Sequence, residues 1–181
     1  MSEIHRVVTG HNAKGQSLIR FEDSGTNHVT IDSWPGGLKI TELWVTNEAP
    51  ANMDSDTDRA TRPLQHDPQN GGTIFRWIEF PPESEGDSFD ASEIFNALGS
   101  ENKPTGEMSQ EHFSTHRTDS IDYIVVVSGT MRMVMDEGEV VLRPGTCIVQ
   151  QGTSHAWVNR STEPCVVAVV LVAAEKPSVL D

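Results

Sequence analysis

His116, Asp122 and His155 are the residues of this chain best suited to chemistry. Two imidazoles and one carboxylate, with positions left open for a substrate, suit Fe(II) and equally Mn, Zn or Ni. Each neutral imidazole donates a ring-nitrogen lone pair, and the carboxylate offsets part of the cation's charge. On a β-strand, residues of equal parity face one side. His116, Thr118 and Asp122 share parity, as do His155, Trp157 and Asn159, although a turn at Asp119-Ser120 would reset the first set. If both faces point into one barrel, the donors converge. Asp122 opens a very apolar stretch, where an inward acid without a partner is costly. At the strand's end it would sit in water instead. Taken alone, His155 also reads as a satisfied core histidine, with Trp157 as packing and Asn159 as a turn residue.

The elements that must position these groups are short strands. Residues 121–128, 130–135, 139–143, 146–150, 154–160 and 165–173 are apolar or alternating, and Gly129, Gly138, Gly145 and Gly152 punctuate them. Turn signals at about 8–12-residue spacing mark an all-β sandwich or barrel. Further strands are expected at 4–9, 17–21, 38–46 and 73–80. Residues 47–72 read as a long surface loop. Its Asp54, Asp56 and Asp58 lack the glycine and distal glutamate of an EF-hand, so a solvated loop is the reading. Residues 81–106 are irregular, with a short helix at 90–98, Ser92 near its start and Phe95 and Leu98 on its buried face. Long loops of this kind often serve as lids or binding loops.

The 181 residues suffice for one domain with a core, and the net charge of −14 comes with no Lys/Arg cluster. Such a chain repels nucleic acid and anionic membranes. No apolar run reaches about 18 residues, so no membrane span is expected. Residues 1–10 show no signal-peptide pattern, and a cytoplasmic location is expected. Cys147 and Cys165 read as reduced, buried thiols. There is no G-x-S-x-G elbow and no phosphate-cradling loop. Tyr123 and Arg117 face away from the donors. Arg132, on the face of Thr130 and Val134, either projects into the barrel or is solvated. Trp157 suits a pocket wall, and Trp34, Trp44 and Trp77 suit a core or an interface. His5, His11, His28 and His66 sit in polar, irregular surroundings without pattern.

Residues 106–175 resemble the cupin superfamily, whose motifs run G-x5-H-x-H-x3/4-E-x6-G and G-x5-P-x-G-x2-H-x3-N. His116, Asp122 and Gly129 fall on the first motif, and Gly145, Gly152, His155 and Asn159 on the second. Thr118 stands where the motif has its second histidine, Asp122 replaces glutamate, Gln150-Gln151 replace the proline region, and Gly106 is in register with His112 rather than His116. The resemblance implies an all-β cupin (jelly-roll) β-barrel with an N-terminal β extension and long loops. It divides the chain into strands that complete or extend the barrel (1–105), a core (106–175) and a tail (176–181), within one structural domain. It implies a divalent metal (Fe, Mn, Zn or Ni) on His116, Asp122 and His155, with Thr118 or His112 as further candidates. Trp157, Arg132 and Asn159 would line the substrate pocket. Small cupins commonly pair as homodimers, with segments such as 38–46 and 73–80 adding to a partner's sheet. The implied function is a metal-dependent enzyme acting on a small carbonyl, carboxylate or phenolic molecule: an oxygenase, decarboxylase, dehydratase or isomerase. A small-molecule-binding barrel with a degenerate metal site is the alternative.

Overall fold

The computed structural model describes residues 4–54, 56–69, 71–84, 90–100 and 112–180. Its strands are β1 (Arg6–His11), β2 (Ser17–Asp23), β3 (Asn27–Ile31), β4 (Leu38–Thr46), β5 (Thr73–Phe80), β6 (Ser120–Ser128), β7 (Met131–Met135), β8 (Glu139–Leu142), β9 (Cys147–Gln151), β10 (His155–Val158) and β11 (Cys165–Ala173), with one helix, α1 (Ala91–Ala97). Gly106 and much of the stretch 81–106 lie outside the described residues.

The β-branched run of β11 forms an interior strand, hydrogen-bonded to β5 and β6 on its two sides, with its side chains buried or half-buried along its length. It sits in an antiparallel sheet of order β3-β4-β5-β11-β6-β9. A second sheet has the order β10-β7-β8, and β1 and β2 form a separate hairpin. Side chains from both larger sheets meet in one core: Ile40, Ile74, Phe80, Ile124, Val167 and Leu171 from the first, Met131, Met133, Leu142 and Trp157 from the second. The architecture is all-β. Its ladders run as separate sheets, and among the described residues an isolated bridge pairs His116, ahead of β6, with His155 of β10. At Gly129 the chain turns from β6 to β7 with φ of 75°, and an added Cβ would lie 2.2 Å from the Pro164 carbonyl oxygen. Glycine there satisfies both the turn and the close approach.

Several expectations are corrected. Strands β4 and β5 are interior strands, each paired on both sides within this chain, so neither has a free edge to offer a partner. The segment 47–72 is more than a solvated surface loop. It buries Ala60, His66 and Pro68, and Asp58 caps a 3-10 turn at Arg59–Thr61 while pairing with Arg6 at 2.7 Å. Asp56 pairs with Arg20. These acids therefore meet arginines. Helix α1 starts one residue later than expected because Asp90 caps it, accepting from the Ser92 and Glu93 amides at 2.8 and 3.4 Å. Cys165 is buried as expected, whereas Cys147 is exposed because it lies on the outer face of β9, at the sheet's edge. Among the described residues no helix is long and apolar enough to cross a membrane.

Candidate functional site

The bridge between His116 and His155 builds the site. Each amide donates to the other's carbonyl at 3.0 Å. Directly opposed residues of an antiparallel pair project side chains to the same face, so the two rings lie side by side, centroids 4.4 Å apart. Asp122 joins them through the period-2 pattern of β6, where Ser120, Asp122, Ile124 and Val126 all face inward.

A third imidazole arrives from outside the strands. His66 is buried, and its ring centroid lies 4.9 Å from that of His116. Phe95 of α1 backs both rings, at 6.2 and 5.7 Å. The segment carrying His66 is pinned by Arg76 of β5, which donates to the Gln65 carbonyl at 2.6 Å and to Glu42 at 2.7 Å. These side chains enclose a cavity of about 60 Å³. Its polar end holds His66, Arg76, His116, Thr118, Asp122 and His155; its apolar wall includes Phe80, Ile124, Trp157, Val167 and Leu171. A larger groove of about 510 Å³ lies beneath the β1–β2 hairpin, and a cleft of about 110 Å³ lies beside residues 174–177. The groove contains none of the expected site residues and the cleft only Thr118, so size is a poor guide here.

Burial sets the protonation states. Removal from water pushes His116 well below the ordinary imidazole range, helped by its neighbours His155 and His66. Burial likewise pushes His155 down to about 4. Both rings are neutral near pH 7. Burial raises Asp122 to about 6, against the hydrogen bond from Ser120 that favours its ionised form. Ser120 Oγ stands 2.6 Å from Asp122 Oδ1 and 2.8 Å from Thr118 Oγ1. With a single proton, it donates to the carboxylate and accepts from Thr118. Arg76 is lowered by burial, with Glu42 opposing the shift.

The hydrogen bonds also fix which ring nitrogens carry protons. His116 Nδ1 lies 2.6 Å from the Ser114 carbonyl, which can only accept, so Nδ1 is protonated and Nε2 is bare. His66 Nδ1 donates to Asp67 at 3.0 Å. His155 Nδ1 lies 2.6 Å from Gln150 Nε2 and 3.0 Å from the Thr153 carbonyl.

The cavity thus gathers His116, Asp122, His155, Thr118 and Trp157. Three other candidates lie elsewhere. Arg132 points away from the core, because Met131 and Met133 take the inner face of β7, and it pairs with Glu139. Asn159 clamps a turn, donating to the Phe80 and Glu163 carbonyls at 3.0 Å and accepting from Ser161. His112 is held by Glu83 at 2.9 Å and Ser114 at 2.7 Å, so it does not supply the missing imidazole. Three residues of the site carried no usable sequence signal or a weak one. His66 and Arg76 stand outside the motifs; Gln150 was visible only as a departure from the proline region.

The expected triad does not fit a resident metal as its side chains stand. Among the described residues, no group of three or more His, Cys, Asp or Glu side chains is placed to hold an ion. Thr118 offers a hydroxyl, itself bonded to Ser120, where a motif histidine would coordinate.

Comparison with known proteins agrees with this architecture. The cupin domain profile matches residues 101–172. The cupin-domain-containing oxidoreductase fogC of Aspergillus ruber is 29% identical over 164 residues, covering 88% of this chain and 66% of that protein. Phomopsin biosynthesis cluster protein C' of Diaporthe leptostromiformis is 30% identical over 175 residues, covering 93% of this chain and 89% of that protein. The chain spans 66% of the length of the first two oxidoreductases it matches. A solved Cupin 2 conserved barrel domain protein from Salinispora arenicola shares 12% identity and a TM-score of 0.40, with 76% of each chain covered. With motif residues on facing strands, inward-pointing imidazoles and relatives matched along most of its length, the chain belongs to the cupin superfamily.

Proposed function

We propose that the chain is an enzyme that converts a small organic molecule bearing a carbonyl, carboxylate or phenolic oxygen, in the cavity built by His66, His116, Asp122 and His155. The observation that carries this reading is the gathering of imidazoles and an acid at one end of an otherwise apolar cavity. Pockets of this kind bury an organic body against apolar walls and orient it by a few convergent polar groups. Asp122, raised to about 6, is matched to proton transfer near neutral pH, and the two rings, pushed lower by burial, stand beside it as neutral hydrogen-bonding groups. Ionised Asp122 can accept a proton from the substrate, and bare His116 Nε2 in the same cavity can accept a substrate hydrogen bond. The names of the relatives, cupin-domain-containing oxidoreductases and a phomopsin biosynthesis cluster protein, support an enzyme of small-molecule metabolism.

The test is a thermal-shift and turnover screen of small acids, ketones and phenols on untagged protein, with elemental analysis of the same sample. Compounds that raise Tm and are converted, with conversion lost in His116→Ala, are the expected result. Binding without conversion would make the chain a binding protein. About one metal per chain, lost in His155→Ala, would establish the metal-dependent form of the reaction. Indifference of ligand binding and conversion to both substitutions would remove the cavity from consideration.

A further inference from the structure

Gln150 is a buried amide on β9, 1% exposed, whose orientation is dictated by Thr153. Its Oε1 accepts from the Thr153 amide at 3.1 Å and from the Thr153 hydroxyl at 2.7 Å. Its Nε2 donates to the Thr153 carbonyl at 2.9 Å. Rotating the amide would set oxygen against that carbonyl and nitrogen against that N–H. The second N–H of Gln150 therefore points at His155 Nδ1, 2.6 Å away. Were Nδ1 protonated toward the Thr153 carbonyl instead, two N–H groups would face each other across that distance. The Thr153 carbonyl, 3.0 Å from Nδ1, already accepts from Gln150 Nε2, and the 2.6 Å contact outranks it: Nδ1 accepts from Gln150, and in the neutral ring the proton sits on Nε2.

His116 has the opposite tautomer, because its Nδ1 donates to the Ser114 carbonyl. Neither Nε2 bonds another described residue, and both rings line the cavity. We propose that Gln150 fixes His155 as an N–H donor beside the bare nitrogen of His116, and that this pair recognises a carbonyl oxygen next to a hydroxyl, as in a hydroxyketone, hydroxyaldehyde or enol. The carbonyl oxygen accepts from His155 and the hydroxyl donates to His116. This rests on the enzyme reading above and names its substrate class. It also gives Gln150, near where the resembled motif has proline, a positioning role: it withdraws His155 Nε2 from coordination.

The experiment is long-range 1H–15N NMR of the full chain labelled at histidine nitrogen, with and without hydroxyacetone, and with acetone as control. The expected wild-type spectrum shows His155 protonated at Nε2 and His116 at Nδ1. Hydroxyacetone shifts both rings, and acetone binds at least tenfold more weakly. Gln150→Glu keeps the Thr153 donors satisfied and replaces the donating nitrogen by an oxygen that accepts from Nδ1–H, leaving the Thr153 carbonyl without its Gln150 donor. It should move the His155 proton to Nδ1 and weaken hydroxyacetone at least tenfold, with Gln150→Leu reporting the unconstrained ring. A wild-type His155 protonated at Nδ1 overturns the tautomer assignment, even with turnover intact and the enzyme reading standing. Failure of hydroxyacetone to shift either ring overturns the substrate class. Zn2+ binding to the wild type through both Nε2 atoms, read in the same spectra, overturns the donor role.

Discussion

At the scale of single residues, the site follows from how one hydroxyl and one amide spend their protons. Ser120 gives its proton to Asp122 and so works against the upward pull of burial. Ser120→Ala should therefore raise the Asp122 pKa further above about 6 and shift the acid limb of the activity profile upward, measurable by carboxylate NMR and by rate against pH. His116, Asp122, His155 and Trp157 were legible in the sequence because strand parity and motif spacing report which side chains share a face. His66 was not, because a loop has no period from which its direction can be read. Arg132 misled because its face depends on where β7 starts. Methionines at 131 and 133 compete for the core, and their apolar surface wins.

At the scale of elements, the cavity depends on two supports remote from the strands that carry the motifs. Helix α1 presses Phe95 onto His66 and His116. Loss of its cap in Asp90→Ala should cost about 1 kcal/mol, read by urea unfolding. The Arg76–Glu42 pair is almost inaccessible to water, with side chains 3% and 0% exposed. Glu42→Ala would leave a buried guanidinium without its anion, and a loss of about 3–5 kcal/mol is expected, again in urea. The same arginine holds the His66 segment, so ligand binding should fall beyond what lost stability explains. The strands were legible from apolar runs and turn residues. Their partners were not: β4 and β5 read as material for another subunit because sequence reveals an apolar strand but not whether its edge is already taken. Arg6, which anchors the hairpin by donating to Asp23, Asp58 and the Leu43 carbonyl, was equally hidden, because its acids lie 17 and 52 residues away.

At the scale of the whole molecule, the buried titrating groups set how the fold responds to acid. His116 and His155, held below their unfolded value of 6.5, refuse protons that the unfolded chain accepts, so their contribution is lost as pH falls below 6.5. Asp122, raised from 3.8 to about 6, takes its proton first in the folded state and offsets one of them as pH falls below about 6. Just below pH 6 the unfolded chain still binds more protons at these sites than the folded one, so stability falls as the solution is acidified. Asp122→Asn removes the offset, so its urea midpoint should fall more steeply than that of the wild type as pH drops below about 6. The His116–His155 bridge adds a kinetic consequence. Since each residue's amide is locked by the other's carbonyl, the layers cannot part locally without freeing both protons at once. Deuterium should enter these two amides in step, and slow together when a ligand fills the space between the rings. A pair of exchange rates thereby becomes a clock for the breathing of the molecule.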